Sequence, residues 1–234
     1  MPRSRYLKVS SDKTIRKMIT GPANVLSCPY CGAEKEVMSL ASGNTLGGTV
    51  WSDTRSNYPM LPEVSPIQQC PHCGKYYFLD QAKRKYSDDP DSEARSFMRL
   101  GTLTFSQLKE ARKQMTASEL SRIQRWVLNR YLFMAYNDSY RREPLAAAFA
   151  PTEEDKELFA TVIAELLDSI EATENYEIIH AEFLRESGRF EEAKAVLANH
   201  TAEEDKWIVE AMLRHIEAGD TMPFLLIDKG EVVE

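Results

Sequence analysis

The chain has 234 residues, 43% of them hydrophobic, the composition of a soluble globular protein of a length that favours two domains at about 100–200 residues each. No stretch approaches the run of about 18–20 apolar residues that crosses a bilayer, and the basic start from Met1 to Lys8 lacks a signal core, so no membrane span and a cytoplasmic location are expected. The net charge of −7 is unevenly placed: residues 1–100 hold 14 Lys and Arg against 10 Asp and Glu, and residues 101–234 hold 15 against 26, which argues against the second half as a nucleic-acid binder.

Residues 1–24 carry Arg3, Arg5, Lys8, Lys13, Arg16 and Lys17 against one acid, Asp12, and read as a basic arm interrupted by Gly21-Pro22. Val25-Leu26-Ser27 is expected to enter, and Glu34 to Ser39 to leave, a turn of sequence Cys28-Pro29-Tyr30-Cys31-Gly32. A second turn, Cys70-Pro71-His72-Cys73-Gly74, is entered by Ile67-Gln68-Gln69 and left by Lys75-Tyr76-Tyr77-Phe78-Leu79, a run rich in aromatic strand formers. These turns hold all four cysteines of the chain. Each Cys-x-x-Cys lets two thiolates converge on one cation, and two such turns complete the tetrahedral shell of a structural Zn²⁺, so Cys28, Cys31, Cys70 and Cys73 are the predicted ligands. Pro fixes φ at the start of each turn, and Gly tolerates the positive φ that lets backbone N–H groups face sulfur. Reduced thiols agree with a cytoplasmic setting, and two matched pairs on hairpins argue against a redox dithiol, which needs only one pair.

The 38 residues between Cys31 and Cys70 exceed the usual spacing, and the excess reads as a loop bearing Trp51, Tyr58, Met60 and Leu61. Those side chains would either anchor a partner or cover the small core beside the metal, and the second is the expectation. A polar, Pro-containing break at Ser87-Asp88-Asp89-Pro90-Asp91-Ser92 divides this part from the helices that follow.

Beyond the break, apolar residues recur at three and four. Phe105, Leu108, Ala111 and Met115 form one helical face behind Thr104 as N-cap. A second helix is expected to start at Ser118, with Leu120, Ile123, Val127, Tyr131 and Met134 as its stripe, Trp126, Leu132 and Phe133 widening it, and an end near Asn137-Asp138-Ser139. Arg141 and Arg142, beside a helix end, could form an anion site, and the expectation is instead that they pair with nearby acids or help offset the helix dipole. Thr152 caps a third helix whose first turn is acidic. Ile179, Ala181, Phe183, Leu184, Gly188, Phe190, Ala193, Val196 and Leu197 then describe a helical hairpin, with Gly188 closing the first helix and Ala193 small at the crossing. A helix from Glu203 to Glu217 ends at Gly219, and the apolar tail from Pro223 to Asp228 is expected to pack as an extended segment on the chain. His72, His180, His200 and His215 have no neighbours in sequence that spell a nucleophile or a second metal site, and the three helical ones read as ordinary helix residues.

The paired Cys-Pro-x-Cys-Gly turns resemble those of the zinc ribbon family with rubredoxin-like knuckles, over about residues 25–82. Residues 176–199 resemble one tetratricopeptide repeat, and together the halves resemble bacterial proteins with a zinc ribbon ahead of tetratricopeptide-like helices. The expected fold is therefore α+β: a basic arm over 1–24, a zinc ribbon over 25–90, an all-α part over 91–222 with the repeat-like hairpin at 176–199, and a tail over 223–234. The expected function is that of a non-enzymatic zinc-binding adaptor that docks a protein partner, because repeat-like helices present surfaces and four thiolates leave no open metal position. The alternative is nucleic-acid binding through the basic first half, with Lys83-Arg84-Lys85 interleaved with Tyr76, Tyr77 and Tyr86.

Overall fold

The computed structural model describes residues 19–61, 63–87, 101–116, 118–141, 150–169 and 176–233. Residues 1–18 of the basic arm, most of the break after Ser87, and Arg142 lie outside them. The architecture is α+β, with antiparallel strands followed by six α-helices among the described residues. None of these helices is long and apolar enough to cross a membrane.

The first cysteine turn joins β1 (Ile19–Ser27) to β2 (Glu34–Ser42), with Ser27 opposite Glu34 and Leu26 opposite Lys35. The strand thus begins six residues before the expected Val25. Gly21-Pro22 does not end it because the register shifts between Gly21 and Asn24, and Pro, which has no N–H to give a ladder, is tolerated at such a bulge. Ser39 Oγ donates to the Pro22 carbonyl at 2.6 Å and closes the irregularity. The other edge of β1 pairs with β7 (Lys83–Tyr86). The second turn joins β5 (Ile67–Gln69) to β6 (Tyr76–Phe78).

Between the two turns, β3 (Thr49–Trp51) pairs on one side with β4 (Ser56–Asn57) and on the other with β8 (Leu225–Asp228), which in turn pairs with β9 (Glu231–Val232). The apolar tail is extended, as its sequence suggested, and its partner is the inter-knuckle segment.

Helix α1 (Phe105–Gln114) starts at Thr104, whose hydroxyl accepts from the Gln107 amide while the Gln107 side chain accepts from the Thr104 amide. Helix α2 (Arg122–Asn137) starts at Ser121, with Gln124 completing the same box, and not at Ser118. Most of the expected stripe faces the core: Leu132, Phe133 and Met134 are buried and Leu120, Trp126, Val127 and Tyr131 pack against the same cluster, joined by Leu128 and Tyr136, whereas Ile123 is 75% exposed. Helix α3 (Glu153–Ser169) follows Thr152, whose hydroxyl accepts from the Asp155 amide. Helices α4 (Glu177–Glu186) and α5 (Phe190–Leu197) form the expected hairpin around Gly188, at φ +77°, with Ala181 and Ala193 wholly buried. A 3-10 turn at Glu203–Asp205 leads into α6 (Lys206–Glu217).

Two hydrophobic clusters hold these elements. The first joins Ile67, Tyr76 and Phe78 of the second hairpin to Phe105 and Leu108 of α1, Leu132 and Phe133 of α2, Val162 and Leu166 of α3 and Phe183 of α4. Phe133 stacks on Phe159 and meets the edge of Phe183. The second cluster seats Phe224 and Leu226 against Leu184, Ala211 and Met212. The hydrophobic interior therefore runs from the second cysteine hairpin into the helices, across the expected division at residue 90.

Candidate metal centre

Both cysteine turns are closed by the same bonds. Cys28 N donates to Ala33 O at 2.9 Å and Gly32 N to Cys28 O at 3.0 Å; Cys70 N donates to Lys75 O and Gly74 N to Cys70 O, both at 2.9 Å. Gly32 and Gly74 sit at φ +70° and +74°, where a side chain would be strained. The Tyr30 amide points at Cys28 Sγ from 3.5 Å.

The four sulfurs lie within 4.8 Å of one another, with Cys28 Sγ 3.9 Å from Cys73 Sγ and Cys31 Sγ 3.7 Å from Cys70 Sγ. A regular tetrahedron with metal–sulfur bonds of about 2.3 Å has edges of about 3.8 Å. The predicted ligands are thus brought together at the spacing that a four-coordinate ion needs. Cys28 and Cys70 are buried, whereas Cys31 and Cys73 are exposed.

The donor set fits a cation chemically as well. Burial resists ionisation of Cys70, but the amides of Cys73 and His72 and the thiols of Cys73 and Cys28 stabilise its thiolate and bring it down to about 6. For Cys31 a bond to the Ala33 backbone favours the thiolate, yet burial and the three other sulfurs outweigh it and push the thiol up to about 12. Four thiols so close release their protons one against another, and a divalent ion at their centre removes that conflict.

The surroundings add features that the sequence did not single out. Tyr77 is buried against Cys28 and Cys70, and burial together with the four sulfurs pushes its phenol up to about 12. Lys35 donates to Gln68 Oε1 at 3.3 Å, and burial holds its ammonium below the usual lysine range against the opposing pull of the charge on Cys70 and Cys28. A groove of about 480 Å³ lies next to the second turn, lined by Tyr30, Cys73, Lys75, Tyr76, Met115 and Glu119 among others.

Other predicted residues fall elsewhere. Trp51 does not cover the metal centre: its ring lies 5.3 Å from the Arg141 guanidinium, at the helices. Tyr76 and Tyr77 are buried, which removes them from any stacking role, while Lys83, Arg84, Lys85 and Tyr86 of β7 are all exposed. His72 is exposed. His200 follows α5 and is not a helix residue; its Nε2 lies 3.1 Å from Asp205 and its Nδ1 3.6 Å from Glu177. His215 Nδ1 lies 2.8 Å from Asp220, and its ring stacks on Phe224.

The largest polar assembly among the described residues is only partly legible in the sequence. Thr54, at φ +71°, turns the chain so that Asp53 enters the helices, where it is wholly buried and pairs with Arg141. Arg141 also pairs with Asp138, which pairs with Arg55 of the same loop. Asn137 Nδ2 donates to Asp53 at 3.1 Å and to Glu186 at 2.9 and 3.0 Å. Arg185 donates to Glu182 and to the carbonyls of Asp220 and Met222, so it grips the start of the C-terminal segment. Two signs are legible: the expected pairing of Arg141 with nearby acids, met here by Asp53 and Asp138, and the Glu182-x-x-Arg185-Glu186 spacing, which places charge on a helix otherwise apolar on several sides. No family model matches the chain, and neither the curated proteins nor the solved structures contain a match to it.

Proposed function

We propose that the chain holds one Zn²⁺ on Cys28, Cys31, Cys70 and Cys73 in a zinc-ribbon arrangement, and that it acts in the cytoplasm as a non-enzymatic adaptor for a protein partner. The observation that carries this reading is the tetrahedral spacing of four cysteine sulfurs, because a metal bound by four thiolates keeps no position for substrate or water. Zinc suits four thiolates by softness and geometry. The groove beside the second turn supports the adaptor role, with exposed Tyr30, Lys75 and Glu119 among the residues that line it. The repeat-like hairpin of α4 and α5 is a second surface of the kind that tetratricopeptide helices offer.

The exposed basic strand β7 favours the alternative, nucleic-acid binding, although burial of Tyr76 and Tyr77 leaves it Tyr86 for stacking. Elemental analysis of the purified chain is the first test, with about one zinc per chain expected and iron or no metal overturning the assignment. Pull-downs with wild type and Tyr30→Ala, washed with and without nuclease, then separate the two roles. Proteins retained through nuclease and lost with Tyr30→Ala support the adaptor. Nucleic acid that is retained at low salt and lost as salt rises supports the alternative.

A further inference from the structure

Beneath Trp51, three buried carboxyl groups, Asp53, Glu182 and Glu186, face two buried guanidinium groups, Arg141 and Arg185. Their surroundings are unequal. Asp53 accepts from the Arg141 guanidinium, from the Arg55 amide at 3.1 Å and from Asn137. Glu182 accepts a two-pronged pair from Arg185 at 2.8 and 2.7 Å. Glu186 has a side chain 1% exposed and, among the described residues, accepts from Asn137 alone, through the NH₂ group that also serves Asp53. Arg185 stands 3.8 Å from Glu186, beyond hydrogen-bond distance, and already donates to Glu182, Asp220 and Met222. An ionised carboxylate held by one shared donor replaces little of the hydration it gave up, and a neutral acid is the form such a position favours.

We propose that Glu186 is kept as a neutral carboxylic acid in the folded protein, and that its ionisation is a pH-sensitive latch releasing the inter-knuckle segment and the C-terminal strand from the helices. Asn137 is the piece both acids share. An ionised Glu186 competes with Asp53 for it and sets a third negative charge against two guanidinium groups. The other charges around the junction offer no relief: Arg55 pairs with Asp138 and Glu63, Asp138 also with Arg141, and Asp220 with His215. Burial, then Glu182 and Asp53, push Glu186 well above the usual carboxylate range against the pull of Arg185 and Asn137. Burial also pushes Asp53 up, with Arg141, Arg55 and Asn137 drawing it back. A carboxyl raised by folding stabilises fully below its ordinary value, and that contribution is lost as pH rises through the raised value. Release would bare the apolar surface of α4 and α6 that Phe224 and Leu226 cover.

Hydrogen–deuterium exchange on the full-length, metal-loaded protein tests this. Wild type and Glu186→Gln are compared at about pH 6 and about pH 9, after correction for intrinsic exchange, over residues 49–57 and 224–228. In wild type, protection is expected to fall by about tenfold or more at the higher pH, while Glu186→Gln, neutral throughout and with His215 unchanged, stays protected. An equal pH response in both proteins, or opening of Glu186→Gln already at the lower pH, overturns the latch. If Glu186→Gln does not fold, infrared spectra of wild type carrying carboxyl-labelled glutamate decide. A protonated glutamate band at neutral pH, lost in alkali, supports the proposal, and its absence overturns it.

Discussion

The candidate metal centre and the buried ionic junction both gather ionisable groups in one place, yet they are assembled in opposite ways. The centre takes its ligands from two short turns whose geometry is closed locally, by bonds spanning four or five residues. The junction draws Asp53 from a loop, Asn137 and Arg141 from the end of α2 and Glu186 from the end of α4, partners 49 to 88 residues apart. The first is a repeated motif and the second a coincidence of faces that exists only once the helices have packed. A cation can supply the missing charge in one; in the other the balance must come from side chains and a proton.

The largest effect should come from emptying the centre. Chelation, or Cys28→Ser, is expected to forfeit metal-binding free energy on the order of 10 kcal/mol, read as loss of sheet signal on chelator titration. Because Ile67, Tyr76 and Phe78 lie in the same cluster as α1 and α2, helicity over residues 105–137 should weaken with it. Full survival of every helix would separate the two regions more sharply than the packing implies.

Next in size is the junction itself. Arg141→Ala leaves Asp53 buried and unpaired, and a loss of about 3–5 kcal/mol in urea unfolding is expected, whereas Asp53→Leu with Arg141→Met should be close to neutral. A double variant as damaged as the single one would mean that the pair carries more than charge balance.

A smaller effect distinguishes two acids of opposite sign. Asp155 is buried at the start of α3, where burial works against its carboxylate but Lys109 and Thr152 hold it below the usual range. Its contribution is present above the ordinary aspartate value and is lost as pH falls through the lowered one, the reverse of Glu186. Lys109→Met should flatten the acid side of a urea-midpoint profile and leave the alkaline side unchanged. The smallest expected effect is at a cap: Ser121→Ala should cost about 1 kcal/mol and Ser118→Ala less than about 0.5 kcal/mol in thermal unfolding.

The same contrast governs what could be read from the residues. The clustering of the four cysteines, the α+β order, the Thr104 and Thr152 caps and the α4–α5 hairpin follow from short-range signals, and each is present in the fold. The Ser121 box was equally local, but Ser118 lay just before it and Leu120 and Ile123 fit a helical stripe by chance. Asp53 gave no signal and Glu186 only its place in the Glu182-x-x-Arg185-Glu186 spacing, because a loop aspartate and a helix glutamate look solvated until their partners are known. The need of so small a ribbon for cover favours Trp51 as shelter for the core beside the cysteines, whereas its neighbour in the fold, Arg141, lies 90 residues further along the chain.

The pairing of β3 with β8 sets an order of events during synthesis. Ser52 and Phe224, 172 residues apart, bond to each other backbone to backbone and side chain to backbone. Both cysteine turns leave the ribosome early and can close on an ion, while the strand that completes Thr49–Trp51 has yet to be made. At about 5–20 residues per second that interval is on the order of ten seconds. Through it, one strand edge stands unmatched, and a stalled or shortened chain would keep it so. Residues Leu225–Asp228 thus decide whether Thr49–Trp51 has a closed edge or one open to other chains.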